Sequence, residues 1–138
     1  MSDSASLDLF FGHLHVLQAI LAEAEPRIRA VGLEMKEFFL LNDLDASPYP
    51  ADLARKLMLP KPSITFLIKR LEAGAFLTRS LEPGDLRRFF LTMTPKGREA
   101  VAEARMILEG AFASRLKRLT TVERDTLIRI LQKIGDAS

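Results

Sequence analysis

The sequence predicts a mainly α fold with one small β-wing, and three observations carry that prediction. Apolar residues at helical spacing dominate both ends of the 138-residue chain. Two short amphipathic segments joined by a proline-marked turn occupy the middle, and two strand-like segments flanking Pro83-Gly84 follow them. With 48% hydrophobic content, the chain has the size of one compact domain, or of one protomer whose core is partly shared with a partner.

The terminal segments come first. Between Leu7 and Ala24, the residues Leu7, Phe10, Phe11, Leu14, Leu17 and Leu21 keep helical spacing, while Leu9, Val16 and Ile20 add a second apolar face. Such a helix is too apolar for burial on one side alone. At the other end, Thr94-Pro95 supplies an N-cap and a first-turn proline for a long helix through about Leu119. Thr120-Thr121-Val122-Glu123 then forms a capping box that opens a last amphipathic helix with Leu127, Ile128, Ile130, Leu131 and Ile134. Terminal helices with this much apolar surface need a cover, and the simplest is a second copy related by a twofold axis, so a homodimer is expected; a self-contained bundle is the alternative.

Between them, a short helix over Glu34 to Leu44 presents Phe38, Leu40 and Leu41, and the loop NDLDASPYP ends it. ADLARKLML follows as a second short helix. Pro60 and Pro62 then lead into SITFLIKRLEAGA, where Ile64, Leu67, Ile68 and Leu71 stand at i, i+3, i+4 and i+7. Two short helices joined by a tight turn make a helix-turn-helix pattern. With the stripe of the second helix turned inward, Pro62, Phe66, Lys69 and Ala73 fall on the opposite face, bordered by Ser63, Thr65 and Arg70. Hydroxyls, bases and one large ring, with no acid near the helix start, suit a major groove, where a ring can cover a thymine methyl.

Phe76 to Leu81 and Arg88 to Met93 then read as strands, and Pro83-Gly84 fits the two central positions of a type II turn. Adjacent Arg87 and Arg88 at the tip of a lone hairpin repel each other, whereas a phosphate backbone or a narrow minor groove stabilises them. Asp85 is expected to hold the Arg87 guanidinium by a charge-assisted hydrogen bond. Helix, turn, helix and basic hairpin together make a winged helix.

Charge follows the same division. Residues 1–51 hold three basic and eight acidic side chains, residues 52–98 ten and four, and residues 99–138 seven and six. A basic middle flanked by acidic or balanced ends fits a polyanion-binding surface, and on charge alone a solvated face that happens to be basic fits it equally well.

Other chemistries find little support. The absence of cysteine excludes a disulfide framework, thiolate metal sites and thiol redox sensing. No basic n-region precedes the first apolar residues, and charges interrupt the apolar runs short of the roughly 18 residues of a membrane span, so a soluble cytoplasmic protein is expected. No Gly-rich phosphate loop, G-x-S-x-G elbow or H-E-x-x-H pair occurs, so no enzyme is expected. His13 and His15 lie about 200° apart on a helix and cannot clasp one metal. A cluster would need Glu23, Glu25 or Glu109 as well; histidines of the core or an interface are the better reading, and no metal or cofactor is expected.

Three blocks resemble the MarR family of transcriptional regulators: Gly32 to Leu41; Ala51 to Glu72; and Asp85-Leu86-Arg87 followed by Leu91-Thr92-Met93-Thr94-Pro95-Lys96-Gly97. Asp-x-Arg at a fixed distance from Thr-Pro-x-Gly is the most specific of them. The resemblance implies a winged helix-turn-helix lobe over 32–97, with dimerisation helices over 1–31 and 98–138. It further implies double-stranded DNA as partner, with two lobes on a pseudo-palindromic operator. By position, Ser63, Thr65, Phe66 and Lys69 face bases, Lys61 and Arg70 face phosphates, and Arg87 enters the minor groove with Asp85 beside it; Arg79 and Arg88 complete the candidate set. Repression relieved by a small aromatic or lipophilic effector, bound between the dimerisation helices and the lobe, is implied too; Phe38, Phe39 and Phe112 are candidate lining residues, and core packing explains the same three at least as well. Other readings are a winged-helix interaction module or an architectural DNA binder without a ligand. Three positions depart from the family pattern: Ala75 and Met58 stand where glycine is common, and Phe66 where a basic or polar residue is common.

Overall fold

The structure, a computed structural model, describes residues 3–135. Six helices and one hairpin run in the order α1 (Asp3–Val31), α2 (Met35–Leu44), α3 (Pro50–Leu57), α4 (Lys61–Ala73), β1 (Leu77–Glu82), β2 (Asp85–Met93), α5 (Pro95–Leu116) and α6 (Thr121–Gly135). Every expected element forms, and α1 differs most from expectation.

α1 continues past Ala24 and through Pro26. Proline removes one helical hydrogen bond, yet Ala24 and Ile28 on either side are fully buried, and that packing holds the helix together across it. Because Leu9 to Ala22 carries no charged residue, Ser4–Val31 is long and apolar enough, by length and composition, to cross a membrane, at a mean hydropathy of 1.3. This corrects the expectation that charges break the apolar runs too early. Only the C-terminal half of α1 reaches the core.

That core gathers Ile20, Ala24 and Ile28 of α1, Phe38, Leu40, Leu41 and Leu44 of α2, and Leu53 of α3. The stripe Ile64, Leu67, Ile68 and Leu71 of α4, Leu77 of β1, Leu91 and Met93 of β2, and Val101 and Ile107 with the small residues Ala100, Ala104 and Ala111 of α5 join it. Alanines on α5 let α1 lie close along it.

Three helices end in one motif. After α1, the Gly32 N–H donates to Arg29 O and the Leu33 N–H to Ile28 O, the paired bonds of a Schellman end, with Gly32 at φ 106°. After α3, Met58 and Leu59 donate to Arg55 O and Ala54 O in the same way; after α4, Ala75 and Phe76 donate to Glu72 O and Leu71 O. Met58 at φ 55° and Ala75 at φ 62° therefore occupy the left-handed position that Gly32 fills without strain. Gly74 keeps a φ of −81°, so the alanine and not the glycine takes the left-handed turn.

α5 is fastened to that end. Thr94 caps α5 by accepting the Gly97 N–H at 3.0 Å while its hydroxyl donates to Ala75 O at 2.6 Å. Lys96 Nζ donates to Gly74 O at 2.7 Å. A Cβ on Gly97 would stand 2.1 Å from Phe76 O, which is why only glycine fits. The Thr-Pro-x-Gly block is thus a joint that locks the start of α5 onto the end of the helix-turn-helix.

Candidate nucleic-acid interface

α4 turns as its periodicity requires. Ile64, Leu67, Ile68 and Leu71 are buried, while Lys61, Pro62, Thr65, Phe66, Lys69, Arg70 and Ala73 are exposed and Ser63 is half-buried. Lys61, Pro62, Thr65, Phe66 and Lys69 line one shallow groove of about 450 Å³. The Thr65 hydroxyl donates to Lys61 O at 3.1 Å, leaving its lone pairs to face outward.

The hairpin is pinned at its base and irregular at its tip. Leu77↔Met93 through Leu81↔Phe89 pair in antiparallel register, after which the ladder jumps to Glu82↔Asp85. Leu86, Arg87 and Arg88 therefore bulge from β2 without partners across the ladder, next to the Pro83-Gly84 turn with Gly84 at φ 84°. Asp85 does not grip the Arg87 guanidinium as expected. Its Oδ1 instead accepts the Arg87 backbone N–H at 3.0 Å; a carboxylate two residues back is better placed for that short turn than for the end of a long side chain. Asp85 shapes the bulge, and the Arg87 side chain is left to solvent.

The basic middle sorts into satisfied and unsatisfied cations. Five of its ten cations hold a carboxylate: Arg55 on Asp52, Lys56 on Asp43, Arg70 on Glu37, Arg79 on Glu72 and Arg98 on Asp45. Lys96 is engaged by Gly74 O, and Arg88 lies over the Tyr49 ring with its guanidinium carbon 3.8 Å from the centroid. Among the described residues, Lys61, Lys69 and Arg87 alone in this segment have no such engagement. All three belong to the set read from sequence.

Arg70, Arg79 and Arg88 thus have second jobs inside the protein. Arg79 joins β1 to α4 through Glu72 at 3.0 Å and lies over Phe89. Arg88 helps seat the wing on Tyr49, whose hydroxyl donates to Glu82 at 2.9 Å. That hydrogen bond raises the Tyr49 pKa above the ordinary phenol range, with burial and the Glu82 charge acting the same way and Arg88 opposing. The Leu91 N–H donates to Pro48 O at 2.8 Å beside it. Tyr49, Glu72 and Glu82 were not singled out from sequence; a tyrosine in an irregular proline-rich loop gives no periodic signal, and its partner lies 33 residues away.

A second feature lies on the far side of α2. Phe38, Phe39 and Phe112 come together, as expected from sequence, in a cleft of about 860 Å³ with Leu17 and Ile20 of α1 and Leu127 and Leu131 of α6. His13, Asn42, Arg105 and Glu109 supply its polar groups. His13 and His15 are both exposed on α1 rather than buried in the core, and His13 Nδ1 lies 2.6 Å from Phe10 O.

α6 and the first half of α1 are left open. α6 buries none of its residues; Ile128, Ile130, Leu131 and Ile134 are exposed, as are Leu7, Leu9, Phe10, Phe11, Val16 and Leu17 on α1.

No protein-family model matches the chain. An HTH-type transcriptional repressor of Mycobacterium tuberculosis is 28% identical over 115 residues, covering 82% of this chain and 83% of that protein. Among solved structures, the transcriptional repressor CouR bound to a 23-mer DNA duplex matches with a TM-score of 0.75 and 27% identity, over 94% of this chain and 90% of that one. BpsR of Bordetella bronchiseptica, whose DNA binding is regulated by 6-hydroxynicotinic acid, matches with a TM-score of 0.76 and 27% identity, over 92% and 94%. Wild-type MarR of E. coli in its apo form shares the fold at a TM-score of 0.76 and 18% identity, over 97% of both chains.

Proposed function

We propose that the chain is a MarR-type winged helix-turn-helix regulator rather than an enzyme, and that it acts as a cytoplasmic, sequence-specific DNA-binding transcriptional repressor. The observation that carries the reading is the pattern of pairing. In a segment where most cations are neutralised or engaged, Lys61, Lys69 and Arg87 are left bare on the outward face of α4 and at the wing tip. Unpaired cations on a pinned frame suit a polyanion, because counterions released from phosphates supply the driving force.

In this reading α4 enters a major groove with Ser63, Thr65, Phe66 and Lys69 toward base edges and Lys61 toward a phosphate, while Arg87 approaches the minor groove beside it. Arg70, Arg79 and Arg88 border the interface and hold its parts in place. A second copy covers the apolar faces of α1 and α6, so that two such surfaces meet a pseudo-palindromic operator. A 28%-identical relative that is a repressor and a related structure on duplex DNA support this.

Release by a small aromatic or lipophilic effector belongs to the same proposal. The 860 Å³ cleft is apolar with a few polar groups and lies between α1, α5, α6 and the helix that supports α4, and BpsR is regulated by an aromatic acid.

The test is salt dependence. Affinity for a duplex selected from a random pool should fall linearly on a log–log salt plot, with a slope near −0.9 per phosphate contacted. Arg87→Ala should weaken binding about tenfold and make the slope shallower by about 0.9, with the melting temperature unchanged. No duplex binding at low salt would instead identify a protein-contact module.

A further inference from the structure

We propose that Phe66 reads a thymine through its 5-methyl group and that Arg70 is the positioning residue that holds the ring for this task. The inference rests on the DNA-binding reading above and names what one side chain of that surface recognises.

Phe66 is 59% exposed on a face it shares with Lys61, Thr65 and Lys69. A single exposed phenylalanine is ordinary on a protein surface; this one is held. The Arg70 guanidinium carbon stands 5.7 Å from the ring centroid, one turn further along α4, and the same guanidinium lies 3.7 Å from the Glu37 carboxylate. Glu37 is itself fixed: it is 4% exposed, and its Oε1 accepts the Glu34 N–H at 2.8 Å at the start of α2. A chain of contacts therefore runs from the N-terminus of α2 through Glu37 and Arg70 to the Phe66 ring. With its Nε facing Glu37 and half of its side chain still exposed, Arg70 flanks the ring on that side.

On its other side the ring walls the groove lined by Lys61, Pro62, Thr65 and Lys69, which holds no carboxylate. A base edge entering that groove meets an apolar surface at Phe66. Guanine, cytosine and adenine present donors and acceptors in the major groove, which a phenyl ring at their edge would desolvate without return. Thymine alone presents a methyl group, and burying one methyl is worth about a fourfold gain in affinity.

Replacing thymines one at a time by deoxyuridine in a duplex selected from a random pool removes that methyl and nothing else. Binding of the full-length protein should fall about fourfold at one thymine in each half-site, and about 15-fold when both are replaced. Phe66→Ala should be indifferent to the same replacements, and Phe66→Leu should keep part of the sensitivity. Arg70→Ala should blunt the uridine penalty while leaving the salt slope intact; if that variant melts early, Arg70→Met, which keeps the stem without the charge, serves instead. The proposal is overturned if the parent tolerates every deoxyuridine, or if Phe66→Ala retains the penalty. A salt slope shallower by about 0.9 in the Arg70 variant would make Arg70 a phosphate contact and overturn its positioning role. Failure to recover any duplex from the pool would strike the regulator reading itself, and this inference with it.

Discussion

α4 and α6 are both short amphipathic helices in the sequence, and they end in opposite states. α4 buries its whole apolar stripe and shows a polar, cationic face around one ring, whereas α6 buries nothing and shows isoleucines and a leucine. The contrast teaches that exposure has two meanings in this molecule. A face that keeps bare cations after its core side is satisfied seeks a charged partner, and one whose core side is itself open seeks apolar surface. The first half of α1 belongs with α6 in this respect, and the wing tip belongs with α4.

Placing a charge on the open apolar face breaks the comparison most severely. Leu131→Asp should leave a folded monomer by sedimentation, and duplex affinity should drop by about 1,000-fold because each half-site must then bind alone. A variant that stays dimeric with unchanged affinity would mean that α6 is not an interface.

Next in size is the joint that holds α4 in its frame. Gly97→Ala pushes a methyl into the Phe76 carbonyl and should cost about 3 kcal/mol of stability in chemical denaturation. A loss well under 1 kcal/mol would show that α5 shifts freely and that the Thr-Pro-x-Gly block is not a lock.

A smaller change sharpens the contrast from the other direction. Ala75→Gly should stabilise by about 1 kcal/mol by relieving the left-handed strain that Gly32 avoids in the same motif, without altering the α4 face. Denaturation midpoints and duplex affinity, measured together, check both halves of that statement.

The smallest effect concerns the base of the wing. Because the Glu82 hydrogen bond raises the Tyr49 pKa, folding favours the protonated phenol. That contribution is full below the ordinary tyrosine range and is lost as pH climbs through the raised value. Tyr49 is the only tyrosine, so its phenolate absorbance titrates alone. Glu82→Gln should move the midpoint down, and an unmoved midpoint would refute the contact.

How much of this was legible in the sequence varies by element. The α4 stripe was readable because four apolar residues at helical spacing admit one orientation, and the Thr120–Glu123 capping box forms as written, with both reciprocal bonds in place. The end of α1 was not, because a proline normally stops a helix and only the burial of Ala24 and Ile28 explains why Pro26 does not. Which arginines are free was also hidden. The partners of Arg70 and Arg88 are Glu37 and Tyr49, more than thirty residues away, and proximity in sequence suggested only the Asp85–Arg87 side-chain contact, which does not form. Met58 and Ala75 lay between: their departure from glycine was visible, but which backbone absorbed it was decided by the Schellman bonds.

Two copies of the α4 and wing surface are expected to meet one duplex. Hydroxyl-radical footprinting of the full-length protein on a selected duplex tests this most directly. Two protected patches on one face of the helix, centred about ten base pairs apart and both weakened by Arg87→Ala, are the expected result. A single patch, or two patches on opposite faces, would contradict it.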